Sequence, residues 1–187
     1  MEIIAIVVLA VVALFVILAY NGLVKLRVRS ENAWADVDVQ LKRRYDLIPN
    51  LVETVKGYAA HERETFQKVT DARTRAMASA TPASRAQAEG MLTEALKTLF
   101  AVAESYPQLR AAENFTQLQA QLSEIEEQVQ YARRYYNAVV RDLNTRIAQF
   151  PTNLIASMFN FRAREFFEVT AGAEREAPKV SFGTPGA

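Results

Sequence analysis

An uncharged run of apolar and aromatic residues, Ile3 to Tyr20, constrains this chain more than any other feature. As a helix the run would span about 27 Å at ~1.5 Å per residue, close to the ~30 Å hydrocarbon core of a bilayer. A buried core helix normally keeps a polar face, and a signal peptide has a basic start and a small-residue cleavage site. Here Glu2 precedes the run, and Ala19–Gly22 is a poor cleavage site. We therefore predict a retained single-pass anchor that contacts the lipid bilayer through residues 3–20.

The charges that flank this run predict its orientation. Lys25, Arg27 and Arg29 follow it, whereas only Glu2 and the terminal amine precede it. Basic residues next to a membrane segment tend to stay in the cytoplasm. We therefore expect the N-terminus outside and the rest of the chain in the cytoplasm.

Composition limits the remaining classes of protein. The chain has 187 residues, a net charge of +1 and no cysteine. Without cysteine there is no disulfide, thiolate zinc site or cysteine nucleophile, and the near-zero charge offers no argument for nucleic-acid binding. We divide the chain into an anchor with a basic juxtamembrane segment (1–29), one helical bundle domain (30–169) and a flexible tail (170–187).

Apolar residues three and four positions apart predict helix across most of the domain. One such pattern covers Glu31–Ala80, and Pro49 inside it should bend that helix because proline removes a backbone hydrogen bond. Thr81 and Pro82 have the residue types of a helix start. The second helix should end before Pro107.

The most regular pattern is a heptad seam from Phe115 to Phe150, which Pro151 should terminate. A short last helix should follow, rich in aromatic residues from Phe159 to Phe167. The predicted fold is all-α: an N-terminal transmembrane helix, then an elongated antiparallel bundle of three long helices and a shorter fourth. Lys179–Phe182 in the tail is either a docking segment or part of a disordered end.

Candidate catalytic and metal-binding residues are few. The one histidine, His61, begins the string HERET, in which Thr65 occupies the place of the second histidine of a zinc-protease motif. A catalytic zinc site needs three protein ligands. We therefore predict no enzyme, no metal, no cofactor and no small-molecule substrate.

Two polar, aromatic-containing stretches are candidate partner-binding surfaces. Tyrosine, tryptophan and arginine are enriched at binding hot spots. The alternatives are an ordinary solvated helix face for the basic residues and packing beside the seam for the tyrosines. The candidates are Trp34, Lys42, Arg43, Arg44, Asp46, Pro49, Asn50, Lys56 and Tyr58, and in the third helix Tyr131 and Tyr135.

Several strings resemble the LemA family. They are NAWADVDVQLKRRYDLIPNLV (32–52), VKGY (55–58), His61-Glu62, YPQL (106–109), NFTQLQ (114–119), ARRYYN (132–137) and Phe150-Pro151. The resemblance runs from Tyr20 to about Phe182, with small departures at Tyr45 and at 160–165. It implies a bacterial membrane-anchored helical bundle with a short outside N-terminus and no established catalytic activity.

These observations predict a non-enzymatic, single-pass membrane scaffold or adaptor. Its expected partners are further copies of itself or another membrane protein. In this interpretation Trp34 and Tyr58 anchor a partner, and Lys42 to Arg44 form a charged rim. The alternative is a regulatory subunit of a membrane enzyme, such as a protease.

Overall fold

The computed structural model describes residues 1–168, and in that range the chain forms helices and no strand. The helices are α1 (Glu2–Lys56), α2 (Arg63–Ala78), α3 (Pro82–Glu104), α4 (Pro107–Arg110), α5 (Glu113–Ala148) and α6 (Thr152–Met158). The predicted all-α class is confirmed. The predicted tail, including Lys179–Phe182, lies outside the described residues.

Helix α1 has two halves with different surroundings. Its N-terminal half is exposed almost throughout, and an 18-residue window there has a mean hydropathy of 3.3 with only 6% of its residues buried. By length and composition this segment is able to cross a membrane. From Ala33 to Val55 the helix instead buries one side of every turn. A single helix therefore runs from the apolar segment, which fits a membrane anchor, into the core of the bundle.

Helices α1 and α5 form an antiparallel pair at the centre of the bundle. Tyr135 on α5 contacts Arg29 on α1, and further along α1 Arg44 reaches back to Glu126. The two helices therefore run in opposite directions. The predicted seam of α5 is buried at its core positions, which are Phe115, Leu122, Val129, Ala132, Tyr136, Val139 and Leu143. Phe150, which we assigned to the same seam, is 75% exposed because α5 ends at Ala148.

The prediction of one helical stretch over Glu31–Ala80 is wrong. The chain leaves α1 after Lys56 and begins α2 at Arg63. Between them the Val55 carbonyl accepts hydrogen bonds from the Tyr58 and Ala59 amides at 3.0 and 2.9 Å, which closes a tight turn. Apolar periodicity continues through this turn because α2 folds back along α1 and buries its own stripe in the same core.

Helix α3 begins and ends where the sequence predicts. The Thr81 hydroxyl accepts a hydrogen bond from the Ser84 amide at 3.2 Å, and the Ser84 hydroxyl accepts one from the Thr81 amide at 3.1 Å. This capping box satisfies two backbone donors that a helix start leaves unpaired. Pro82 occupies the first turn, and the helix ends at Glu104 before Pro107.

Helix α6 is shorter than predicted, and the aromatic residues lie beyond its end. Asn160 has φ 56°, the left-handed conformation that asparagine tolerates. The Phe161 amide donates to the Ala156 carbonyl at 2.9 Å and the Asn160 amide to the Ser157 carbonyl at 3.3 Å. This pattern is a Schellman motif, which ends the helix and reverses the chain.

Candidate functional site

A cluster of polar side chains lies inside the bundle, where α1, α3 and α5 meet. Arg44 of α1 and Glu89 of α3 are 5% and 7% exposed. Charged residues are almost never this buried unless they are paired. We call Arg44, Tyr45, Glu89, Thr93 and Glu126 the polar cluster.

The Arg44 guanidinium is paired on both of its terminal nitrogens. One lies 2.8 Å from Oε2 of Glu89. The other lies 2.9 Å from the Thr93 hydroxyl and 3.1 Å from Oε2 of Glu126. The planar guanidinium has several donors in a fixed arrangement, which suits contacts with acceptors on two helices at once. Arg44 therefore links α1 to both α3 and α5.

Tyr45 completes the coordination of Glu89. Its hydroxyl donates a hydrogen bond to Oε1 of Glu89, so both carboxylate oxygens have a partner. Burial raises the pKa of the Tyr45 hydroxyl far above its usual value, and the hydrogen bond to Glu89 raises it further. Burial also raises the pKa of the Glu89 carboxyl, although the hydrogen bond from Tyr45 and the charge of Arg44 oppose this. The tyrosine therefore stays protonated as a donor at neutral pH.

A second contact explains how the bundle accommodates Pro49. Proline has no amide hydrogen, so the carbonyl four residues earlier, that of Tyr45, loses its helical partner. In the structure the Arg73 Nε of α2 donates to this carbonyl at 2.8 Å. The proline that interrupts the hydrogen bonding of α1 thus creates an attachment point for α2.

Helix α3 has a further contact with α1, near the start of α3. Arg85 forms an ion pair with Asp38, and its guanidinium carbon lies 5.5 Å from the centre of the Trp34 ring. Trp34 also packs against Tyr136 and Phe167, with ring centroids 5.0 and 5.6 Å away. Trp34 is therefore part of an internal aromatic cluster.

These positions correct part of the predicted binding surface. The expectation of an exposed charged rim is wrong for Arg44, which is buried and fully paired. Trp34 is half-buried in its own aromatic contacts, so it does not extend from the surface as an anchor. Both departures arise because α3 and α5 pack over the parts of α1 that carry Trp34 and Arg44.

The remaining predicted residues lie on the outside. Tyr131 and Tyr58 are 64% and 45% exposed. Tyr135 is half-buried, and its hydroxyl accepts a hydrogen bond from Arg29 at 3.0 Å. Seven of the predicted residues are exposed along the C-terminal half of α1 and in the turn after it. They are Lys42, Arg43, Asp46, Pro49, Asn50, Lys56 and Tyr58. We call this set the outer strip.

Sequence reasoning missed Glu89, Thr93, Arg85 and Arg73. A signal for Glu89 was present, because it lies three and seven residues before Leu92 and Leu96, on the apolar face of α3. A carboxylate in such a stripe indicates a buried partner. That partner, Arg44, lies 45 positions away from Glu89 in the chain. No local sequence pattern therefore identifies it.

The polar cluster borders an open groove between α3 and α5. Two adjoining hollows of about 380 and 260 Å³ share Arg44, Thr93 and Glu126 in their walls. Both terminal nitrogens of Arg44 are already occupied by protein acceptors. In residues 1–168 no group of three or more histidine or acidic side chains is placed to hold a metal ion. Arg44 therefore joins α1 to α3 and α5 and is not free to bind an anionic ligand.

Comparison with known proteins agrees with this architecture. The chain is similar to the magnetosome proteins MamQ 1 and MamQ 2 of Paramagnetospirillum magneticum, each 26% identical over 189 residues, 86% of this chain and 70% of theirs. It is also similar to protein LemA of Metamycoplasma hominis, 24% identical over 154 residues, 80% of this chain and 69% of that protein. The model of the LemA family matches residues 33–182. The chain therefore belongs to the LemA family.

Proposed function

We propose that this protein is a non-enzymatic, single-pass adaptor of the bacterial inner membrane that binds protein partners through its helical bundle. The observation that carries the proposal is the continuity of α1, which is helical from Glu2 to Lys56. At ~1.5 Å per residue it is about 82 Å long. Such a helix joins the bundle to the apolar segment without a break, as an adaptor at the membrane requires.

The charges next to the apolar segment support a cytoplasmic bundle. Lys25, Arg27 and Arg29 are all exposed on α1 just after the apolar segment. The positive-inside rule then favours an outside N-terminus. Relatives named as magnetosome proteins are consistent with a role at a defined cellular structure.

The outer strip is our candidate partner surface. It lies at the end of the bundle that is farthest along α1 from the apolar segment. It combines both charge signs with an exposed aromatic ring, that of Tyr58, and none of its side chains belongs to the core. Exposed aromatic residues with charged neighbours are typical of binding hot spots. A partner there would contact the bundle without disturbing the polar cluster.

Photo-crosslinking in native membranes tests this surface. A photoreactive amino acid is placed at Tyr58 and, as a matched control, at Thr74, which is exposed on α2. We expect a covalent adduct with a second polypeptide, or with another copy, from position 58 and not from position 74. No adduct from position 58, or equal adducts from positions 58 and 74, would contradict the proposed surface.

The mass of the gently extracted complex then identifies the type of partner. An integer multiple of the 21.0 kDa chain supports self-assembly. A mass that includes a second polypeptide supports an adaptor for that protein. A single-chain mass under mild extraction, together with the absence of crosslinks, would overturn partner binding.

A further inference from the structure

Helix α6 and the residues next to its two ends expose large apolar side chains. Phe150, Leu154, Met158 and Phe159 are 75, 58, 73 and 48% exposed. Leu154 and Met158 are four residues apart, so they lie on one face of α6. Single exposed apolar residues are common, but four large ones between Phe150 and Phe159 favour an interaction site. We call these four residues the α6 corner.

The opposite face of α6 fixes the corner beside the apolar segment of α1. Ile155 and Ala156 are buried against Ala19 and Leu23. The Phe159 ring also packs edge-on against Tyr20, with centroids 4.8 Å apart. The corner therefore lies at the level where the apolar run, residues 3–20, ends.

The chain after α6 is held to the bundle, which fixes the direction in which the corner faces. The Asn144 side chain of α5 donates to the Arg164 carbonyl at 2.9 Å and accepts from the Arg164 amide at 2.8 Å. With the Schellman motif at Asn160, these bonds pin both ends of the segment that follows α6. The exposed face of the corner is thus part of a defined structure.

The charges around the corner suit an anionic lipid surface. Residues 3–30 and 143–164, which meet at this end of the bundle, contain no aspartate or glutamate. The basic residues in these two segments are Lys25, Arg27, Arg29, Arg146, Arg162 and Arg164. Arg164 is paired with Glu31 at 2.5 Å, and Arg29 donates to the Tyr135 hydroxyl. Lys25, Arg27, Arg146 and Arg162 are exposed and have no acidic partner within residues 1–168. Basic residues near a membrane surface attract anionic headgroups, by about 1 kcal/mol each. Apolar residues surrounded by basic ones are the pattern of helices that lie in a bilayer interface.

We propose that the α6 corner is a second membrane attachment, inserted at the boundary between headgroups and acyl chains of the leaflet from which α1 emerges. The exposed basic residues around it contact anionic phospholipid headgroups. This inference rests on the membrane anchoring in the proposed function. Two attachments on one rigid unit fix the tilt of the bundle, which a single helix crossing the bilayer leaves free.

Site-directed spin labelling of the full chain tests the inference, and the absence of cysteine in the native sequence makes single labels straightforward. Cysteine is introduced as Leu154→Cys or Met158→Cys, and as Met91→Cys for a control on the exposed side of α3. Each variant is reconstituted in vesicles of phosphatidylcholine with a minority of phosphatidylglycerol. Collisions of the label with oxygen, which concentrates in lipid, are compared with collisions with a water-soluble nickel chelate.

We expect the ratio of oxygen to nickel collisions to be several-fold higher at positions 154 and 158 than at 91. Equal ratios would overturn the inference. A label at Leu9→Cys separates the two hypotheses. Lipid exposure at 9 with water exposure at 154 refutes only the corner, whereas water exposure at 9 refutes anchoring itself.

Dilution with unlabelled protein tests another occupant, a second copy of the chain. If the label at 154 is shielded from both collision partners, and dilution relieves a spin–spin interaction, the corner is a protein interface and the lipid proposal is wrong. If dilution changes nothing while oxygen collisions stay high, the lipid proposal is supported. Circular dichroism of each variant confirms that the bundle is folded.

Discussion

The polar cluster and the α6 corner depart from the usual inside–outside distribution in opposite ways. The cluster buries Arg44 and Glu89 in the bundle, whereas the corner exposes Leu154 and Met158 at its end. Every charged group of the cluster has a partner within the same chain. Within residues 1–168, Leu154 and Met158 of the corner stay 58 and 73% exposed. The first departure is therefore completed by contacts among the described residues, and the second is not.

This difference separates residues that hold the fold from residues available for interaction. A buried ion pair is weak evidence for high stability, because desolvation offsets much of the attraction. Loss of one partner is nevertheless costly, since it leaves an unpaired buried charge. An exposed apolar face, in contrast, contributes little to the fold, and its loss affects only what binds there.

The largest expected effect is at Arg44. We expect Arg44→Met to lower the free energy of unfolding by about 3–5 kcal/mol, because Glu89 stays buried without its cation. The measurement is urea unfolding of the detergent-solubilised chain, followed by circular dichroism. The control is the exposed neighbour, Arg43→Met, for which we expect a change within about 0.5 kcal/mol.

The double variant Arg44→Met/Glu89→Met sharpens the same prediction. Replacing both partners removes the unpaired charge, so much of the lost stability should return. Equal losses for Arg43→Met and Arg44→Met would contradict the placement of the polar cluster inside the bundle.

The two faces of α6 should differ next most strongly. Ile155→Ala should destabilise the chain by about 2 kcal/mol or more, because it leaves a cavity against Ala19 and Leu23. Leu154→Ala, one residue away, should change unfolding in detergent by less than about 0.5 kcal/mol. If Leu154→Ala costs as much as Ile155→Ala, the outer face belongs to the core and the comparison between the two regions fails.

Alkaline unfolding should reveal the buried hydroxyl of Tyr45. Its pKa is raised in the folded state, so its contribution to stability is present below the unfolded pKa of about 10 and decreases as pH rises above it. Above pH 10, the free energy of unfolding of wild type should fall by about 1.4 kcal/mol per pH unit through this group. Tyr45→Phe should not show this part of the decrease. Parallel stability curves for the two proteins would show that Tyr45 ionises freely in the fold.

The smallest expected effect tests the contact at the proline. Arg73→Met leaves the Tyr45 carbonyl without its donor, and we expect a loss of about 1 kcal/mol. In a Pro49→Ala background, the introduced alanine supplies a backbone amide to that carbonyl, so the same change should cost less. A double-mutant cycle measures this coupling. An unchanged cost would mean that Arg73 stabilises the chain through other contacts.

Local signals predicted much of the fold and little of the polar cluster. Thr81 and Pro82 begin α3 as expected, since a helix cap depends on a few adjacent residues. The turn at Gly57 escaped prediction because apolar spacing continues on both sides of it. Of the outer strip, only exposure is seen in the structure, and its role in binding stays a prediction.

What the sequence by itself determined is the apolar segment of α1, the buried seam of α5 and the start and end of α3. These features depend on hydropathy, on the spacing of apolar residues and on residues that are neighbours in the chain. Only the tertiary structure decided that Arg44 turns inward to Glu89 and that Leu154 turns outward beside the apolar segment. Each of those choices depends on which helix faces which, and that is set by contacts between residues far apart in the chain, such as the 45 positions between Arg44 and Glu89.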